Sequence, residues 1–210
     1  LVEPIIIHKG VEFRDALEIA MIMLEKVGLI PPEEYVSRKP YQLSGGQVQR
    51  AAIARAMLLN PDFIVADEPT SNLDVSIRAS ILELLKSFKE EMKQGMMFIT
   101  HDITLAKLIA DRMAVMYLGK IVEIGPTKSV LEEASHPYTQ ALIAAIPTLD
   151  RYKPFKDIVL KGEIASDTEL RGCRLYSRCP LAMDICEKEA PPMIEVRSGH
   201  LASCWLLAKK

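Results

Sequence analysis

The sequence predicts an α/β fold, a parallel sheet with covering helices, followed by a C-terminal extension of different texture. Three observations predict it. FIVA at 63–66 and MMFIT at 96–100 are short continuous apolar runs, as expected of strands buried on both faces of a parallel sheet. Between them, Ser76 to Gln94 carries Ile77, Ile81, Leu84, Phe88 and Met92 on one stripe, the crossover helix that parallel neighbours require. Beyond about residue 126 periodicity weakens, and prolines recur at 126, 137, 147, 154, 180, 191 and 192. The chain's four cysteines, Cys173, Cys179, Cys186 and Cys204, all fall in that last stretch.

Taken in order, residues 11–28 read as an amphipathic helix with Phe13, Leu17, Ala20, Leu24 and Val27 on one face, closed by Pro31 and Pro32. A loop containing Pro40 leads to LSGGQVQR at 43–50. From Gln47 to Asn60 the pattern is helical again, with Pro61 as the stop. The first strand ends on Asp67-Glu68-Pro69. The crossover helix stops at Gly95, and the second strand runs into His101-Asp102. A short helix at 103–111 precedes MAVMY and KIVEI, which flank Leu118-Gly119 as an antiparallel hairpin.

The bulk numbers narrow the function classes. With 210 residues, 49% of them hydrophobic, the chain buries a sizeable core. Its 26 basic and 28 acidic residues are nearly balanced, so nothing suggests a nucleic-acid footprint. No apolar run reaches membrane-spanning length, and LVEPIIIHKG has none of the layout of a signal peptide.

Ligands of open α/β sheets sit beyond the carboxyl ends of the strands. There this sequence places Asp67, suited to a hard cation such as Mg²⁺; Glu68, suited to orienting or deprotonating a water; and His101, suited to contacting a transferring phosphoryl group. Ser44, Gly45 and Gly46 open a helix whose unpaired N–H groups and partial positive charge favour a phosphate. Each feature alone is commonly a cap, a turn or a solvated loop. Four of them converging on one sheet edge are not expected by chance.

LSGGQ (43–47), followed by Gln49 and Arg50, resembles the signature motif of ATP-binding-cassette (ABC) ATPases. FIVADE (63–68) is similar to their Walker B strand, SNLD (71–74) to their D-loop, and His101 stands where their switch histidine belongs. The longer stretch to SNLDVSI, then THD, MYLGKIVEIG, HPYT and GCRLYSRCPLAMDIC, resembles the ATPase subunits of oligopeptide and dipeptide importers over nearly the whole chain. The resemblance implies part of a P-loop NTPase sheet with a helical subdomain: 1–60 helical and ending in the signature helix, 61–125 a part of the ATPase core, and 126–210 the importer-type extension. It also implies an ATP hydrolase using ATP and Mg²⁺, in which Asp67 positions Mg²⁺, Glu68 polarises water and His101 stabilises the γ-phosphate. In such head-to-tail dimers Ser44, Gly45, Gly46 and Gln47 complete the opposite subunit's site, and Asp74 communicates across the pair. The implied partners are a second ATPase subunit, two membrane-spanning permease subunits and, indirectly, an extracytoplasmic substrate-binding protein, at the cytoplasmic face of the membrane.

No GxxxxGK[ST] phosphate loop occurs in the sequence. The family carries that loop and a glutamine-bearing loop ahead of the region where Leu1 lies. The chain is therefore read as the C-terminal part of an ATPase, inactive by itself; the intact Glu68, His101 and signature argue against a degenerate subunit. Alternative readings are an ABC ATPase acting on DNA or ribosomes, or an importer ATPase for nickel or another small solute. Only 19 residues separate Gln47 from Asp67, which leaves no room for the coiled-coil insertions of the DNA-directed kind.

For the cysteines, a cytoplasmic setting disfavours disulfides. The gaps between them are wider than the roughly two to four residues usual in zinc sites, and four thiolates also suit an iron–sulfur cluster. The resemblance tips this toward a [4Fe–4S] cluster in a small cysteine-rich module, with zinc as the alternative.

Overall fold

The computed structural model describes residues 1–146, 158–162 and 171–208. It divides into two compact units, Leu1–His101 and Asp102–Lys210.

The first unit opens with α1 (Val2–Lys9), an unforeseen helix, since VEPIIIHK shows no polar–apolar stripe. It is followed by α2 (Phe13–Lys26) and α3 (Pro32–Val36). The buried stripe of α2 is Ala16, Ala20 and Leu24, continued by Val27. Phe13, expected on that face, is 62% exposed, because the face turns at the helix start toward Ala16. Ile5, Ala16, Ala20 and Leu58 make one small core.

Helix α4 (Gly45–Met57) begins two residues earlier than its periodicity suggests, because Ser44 caps it. Strand β1 (Phe63–Asp67), helix α5 (Val75–Met92) and strand β2 (Gly95–Ile99) form the expected β–α–β crossover, with β1 and β2 parallel and in register from Phe63↔Gly95 to Asp67↔Ile99. α5 buries Ile81, Leu82, Leu85 and Phe88. It ends at Lys93, in the left-handed region at φ 50°, rather than at Gly95. Gly95 starts the next strand because a side chain there would lie 2.6 Å from the Phe63 ring.

The expectation of strands buried on both faces does not hold here. β1 alternates, with Ile64 and Ala66 covered while Phe63 and Val65 are each 58% exposed. Among the described residues this sheet has only two strands.

The second unit contains α6 (Ile103–Ile109) and the predicted hairpin of β3 (Arg112–Tyr117) and β4 (Lys120–Pro126). Its turn residues Leu118 and Gly119 both have positive φ, 45° and 75°, as a tight hairpin with right-twisted strands requires. α7 (Thr127–Glu132) and α8 (Pro137–Ala144) follow, the latter capped by His136. After α9 (Asp184–Lys188), strands β5 (Met193–Arg197) and β6 (His200–Ser203) complete an antiparallel sheet in the order β3-β4-β6-β5. Its core joins Met113, Val115, Tyr117, Val122, Val130, Leu175 and Cys179, with the Tyr138 ring 4.6 Å from that of Tyr117.

Candidate functional site

The strand ends of the first unit bring two expected residues together. The last rung of the β1–β2 ladder is the Glu68 N–H donating to the Ile99 carbonyl at 3.0 Å. That rung sets Glu68 beside the chain leading to His101, and His101 Nδ1 meets Glu68 Oε1 at 2.8 Å. The Ser71 hydroxyl donates to Glu68 Oε2 at 2.6 Å. Bonds from Ser71 first, and His101 second, hold the Glu68 carboxyl below the usual carboxylate range. It is therefore ionised at neutral pH and better suited to orienting a water than to removing its proton outright. Glu68 also sits at φ 46°, a left-handed backbone uncommon for a residue with a side chain. Such strain at a strand end is characteristic of working sites. Ser71 was not singled out in the sequence; its signal is a hydroxyl three residues past a carboxylate in a turn. Asp67 is the exposed last residue of β1.

The signature turn is built from its own side chains. Ser44 accepts from the Gln47 N–H at 3.4 Å while Gln47 Oε1 accepts from the Ser44 N–H at 2.9 Å, a reciprocal capping box. Gly46 is buried because α5 packs on it: a Cβ there would lie 2.9 Å from Ile77 Cγ2. At Gly45 the nearest neighbour is Leu73, 3.6 Å from a built Cβ. The segment 71–77 thus touches both parts of the candidate site, through Ser71 at Glu68 and through Leu73 and Ile77 at the signature. Asp74 begins α5 as an exposed N-cap with no side-chain cap bond. Arg50, one turn into α4, donates to the Val27 carbonyl at the end of α2, where helix carbonyls lack partners. Gly28 adopts φ +76° there, and a side chain on it would meet the Arg50 guanidinium at 2.9 Å.

In the second unit all four cysteines are free thiols; Cys179, Cys186 and Cys204 are buried and Cys173 partly so. Burial pushes up the thiols of Cys173, Cys179 and Cys204, the last to about 11, and each also feels the charge of other cysteines in the set. The cysteines are gathered, but the expected metal centre is not supported. Among the described residues no group of three or more His, Cys, Asp or Glu is arranged to hold a metal ion. Cys173 and Cys179 pack in the apolar cluster around Leu175.

A buried polar chain in the same unit also escaped the sequence. Glu123 and His200, both 0% exposed, join at 2.7 Å through Oε1 and Nε2, and Ser129 Oγ lies 2.8 Å from His200 Nδ1. Glu123 further accepts from the N–H groups of Ser135 at 2.7 Å and His136 at 3.0 Å. A ring protonated on Nε2 satisfies both of its neighbours. Ser, His and Glu in one line invite a nucleophilic reading, yet full burial of the His and Glu makes this a staple between β4, β6 and the loop before α8. Burial pushes His136 down to about 4, so it is neutral and accepts from the Tyr138 N–H at 3.1 Å.

Comparison with known proteins agrees with this geometry. Residues 10–71 match the family model described as ABC transporter, and residues 122–186 match that of the oligopeptide/dipeptide transporter C-terminal region. The chain is 42% identical over 209 residues to a probable peptide ABC transporter ATP-binding protein of Sinorhizobium fredii, covering 99% of this chain and 59% of that protein. It is 40% identical to the oligopeptide transport ATP-binding protein AppF of Bacillus subtilis, covering 97% of this chain and 62% of AppF. Among solved structures, the ATP-binding cassette MJ0796, a dimer in a post-hydrolysis state with ADP and Pi, superposes with a TM-score of 0.53 at 34% identity, over 60% of this chain and 54% of that one. The fold of the described residues is similar to that of ATP-binding cassettes. The chain is similar to the ATP-binding proteins of peptide ABC transporters and spans about three-fifths of the length of the relatives it matches.

Proposed function

We propose that the chain is part of the nucleotide-hydrolysing subunit of an importer of oligopeptides or dipeptides, acting at the cytoplasmic face of the membrane. The supporting observation is the Glu68–His101 pair at neighbouring strand ends, one residue beyond the exposed Asp67. In this reading Glu68 orients the attacking water. His101, with Nδ1 committed to Glu68 and its ring 79% exposed, turns its other edge to the γ-phosphate. Asp67 fits the preference of Mg²⁺ for carboxylate oxygen; when bound, Mg²⁺ supplies charge neutralisation on the phosphates. Ser44, Gly45, Gly46 and Gln47 form a lid for a nucleotide held by a second ATPase subunit, and Asp74 lies at the junction between the two. The division into a helical subdomain (1–60), part of the ATPase core (61–125) and an extension (126–210) belongs to this reading, as do the two permease subunits and the substrate-binding protein.

The test is reconstitution of the complete subunit with its two permeases in vesicles. An oligopeptide presented with its binding protein is expected to stimulate phosphate release several-fold. Stimulation by DNA or RNA instead, with no permease association, would overturn the proposal, and stimulation by Ni²⁺ alone would change the substrate class.

The cysteine module forms a second part of the proposal. Four thiols supply the donor set of a [4Fe–4S] cluster, and they would have to close in from their present packing to hold one. No step of transport is routed through it. Anaerobically purified protein is expected to contain about four irons per chain with a broad visible absorption band. Zinc without iron would replace the cluster with a zinc site, and absence of both metals would leave the thiols as packing residues.

A further inference from the structure

The signature turn is held from outside by a residue that neither motif contains. Gln47 Oε1 is committed to the Ser44 N–H at 2.9 Å, which fixes which way the amide faces. Its NH₂ therefore points outward, and Nε2 donates to the Tyr35 hydroxyl at 3.4 Å. Tyr35 lies on α3 and is itself held. The Arg38 guanidinium stacks over its ring, 4.9 Å from the centroid, and Arg38 pairs with Glu34 at 3.1 Å. The Glu34–Arg38 pair is exposed and contributes little energy of its own, but it restricts where the guanidinium can stack. A chain of contacts thus runs Glu34–Arg38–Tyr35–Gln47–Ser44, from α3 into the cap of α4. Arg50 bonding the Val27 carbonyl makes a second tie from the same helix to the end of α2.

We propose that Tyr35 is a positioning residue for the phosphate-binding turn: it fixes the Gln47 amide and, through it, the cap that presents Ser44 and the glycine N–H groups. This rests on the lid role given to the signature above. The Tyr35–Gln47 bond is long, so its contribution is orientation more than strength. Loss of the hydroxyl leaves the amide facing water, free to rotate and to release the Ser44 N–H. A lid that closes on another subunit's nucleotide then closes less readily, while each subunit's own grip on ATP is untouched.

The test uses the complete subunit with its permeases. Tyr35→Phe is expected to raise the ATP concentration for half-maximal turnover by about three- to tenfold, with kcat within about twofold and an unchanged melting temperature. Gln47→Ala, which also removes the capping box and a lid side chain, is expected to raise that concentration further, and Tyr35→Phe/Gln47→Ala to match Gln47→Ala, because Tyr35 acts only through the Gln47 amide. Arg38→Leu, which frees the Tyr35 ring without altering Gln47, is expected to shift the same parameter by less. An unchanged KM in Tyr35→Phe, or single effects that multiply in the double variant, would overturn the proposal. A lower melting temperature with unchanged KM would reduce Tyr35 to a packing residue and overturn it equally. Glu68→Gln assayed alongside separates the two levels. If that variant hydrolyses ATP normally the ATPase reading fails, whereas an inactive Glu68→Gln beside a normal Tyr35→Phe removes the positioning role alone.

Discussion

Glu68→Gln in the complete protein is expected to bind ATP normally and to lose turnover by at least about a hundredfold, the range in which a positioned acid–base group acts. The substitution keeps shape and removes charge. Glu68 has two oxygens accepting, from Ser71 at 2.6 Å and at the His101 Nδ1 at 2.8 Å. An amide has one oxygen, so one neighbour must face an NH₂, and the acceptor that would orient water is gone. Nucleotide affinity, measured by equilibrium binding, should persist because the phosphate contacts lie elsewhere. Phosphate release measured in the same preparation should nearly cease. Turnover close to that of the unaltered protein would remove Glu68 from the chemistry. The acid side of the pH profile carries a related expectation. With its carboxyl held below the usual range, Glu68 stays ionised as pH falls to its ordinary value near 4.5 and loses its charge, and with it the water-orienting acceptor, only below that.

The largest stability effect is expected in the second unit. His200→Ala should destabilise it by about 3–5 kcal/mol, the cost of breaking a buried charged or polar pair from one side. Glu123 would keep its bonds to the N–H groups of Ser135 and His136 but lose the ring, and Ser129 would lose its partner as well. Replacing both members by apolar residues, often neutral for an isolated pair, should fail here. Two backbone N–H groups would remain buried with nothing to donate to. Urea denaturation followed by tryptophan fluorescence, with Trp205 beside the C-terminal strand, provides the measurement. A loss under about 1 kcal/mol would mean that the chain of bonds is incidental.

Local geometry set by near neighbours was legible. Leu118-Gly119 between two apolar runs identifies its turn, and SGG identifies a helix opening, though the Ser44–Gln47 capping box starts that helix two residues ahead of its periodicity. Asp67, Glu68 and His101 stand at the ends of runs whose composition gives away strands. Several misses share one physical cause, partners distant in sequence; Ser71, three residues from Glu68, does not. Glu123 in KIVEI alternates like a solvent-facing residue until His200 arrives on a strand 77 positions later. β5 and β6 are five and four residues long, and β6 takes its register from β4, so no local pattern announces them. Tyr35 reads as an ordinary aromatic in a proline-bounded loop, and only the fold places it over Gln47. The cysteines taught the reverse lesson. Proximity in sequence suggests a metal cage, whereas among the described residues no three such side chains are arranged to hold a metal ion.

The two-stranded ladder of β1 and β2 has a consequence in the test tube. Phe63, Val65, Met97 and Ile99 stand open on one face, and each strand has an outer edge with no described partner. A short parallel ribbon with bare edges and a greasy face is adhesive in water, ready to recruit any extended chain, including another molecule of its own kind. Handled without cover over that face, this polypeptide would meet its own copies before it met a nucleotide, and low protein concentration is the practical remedy.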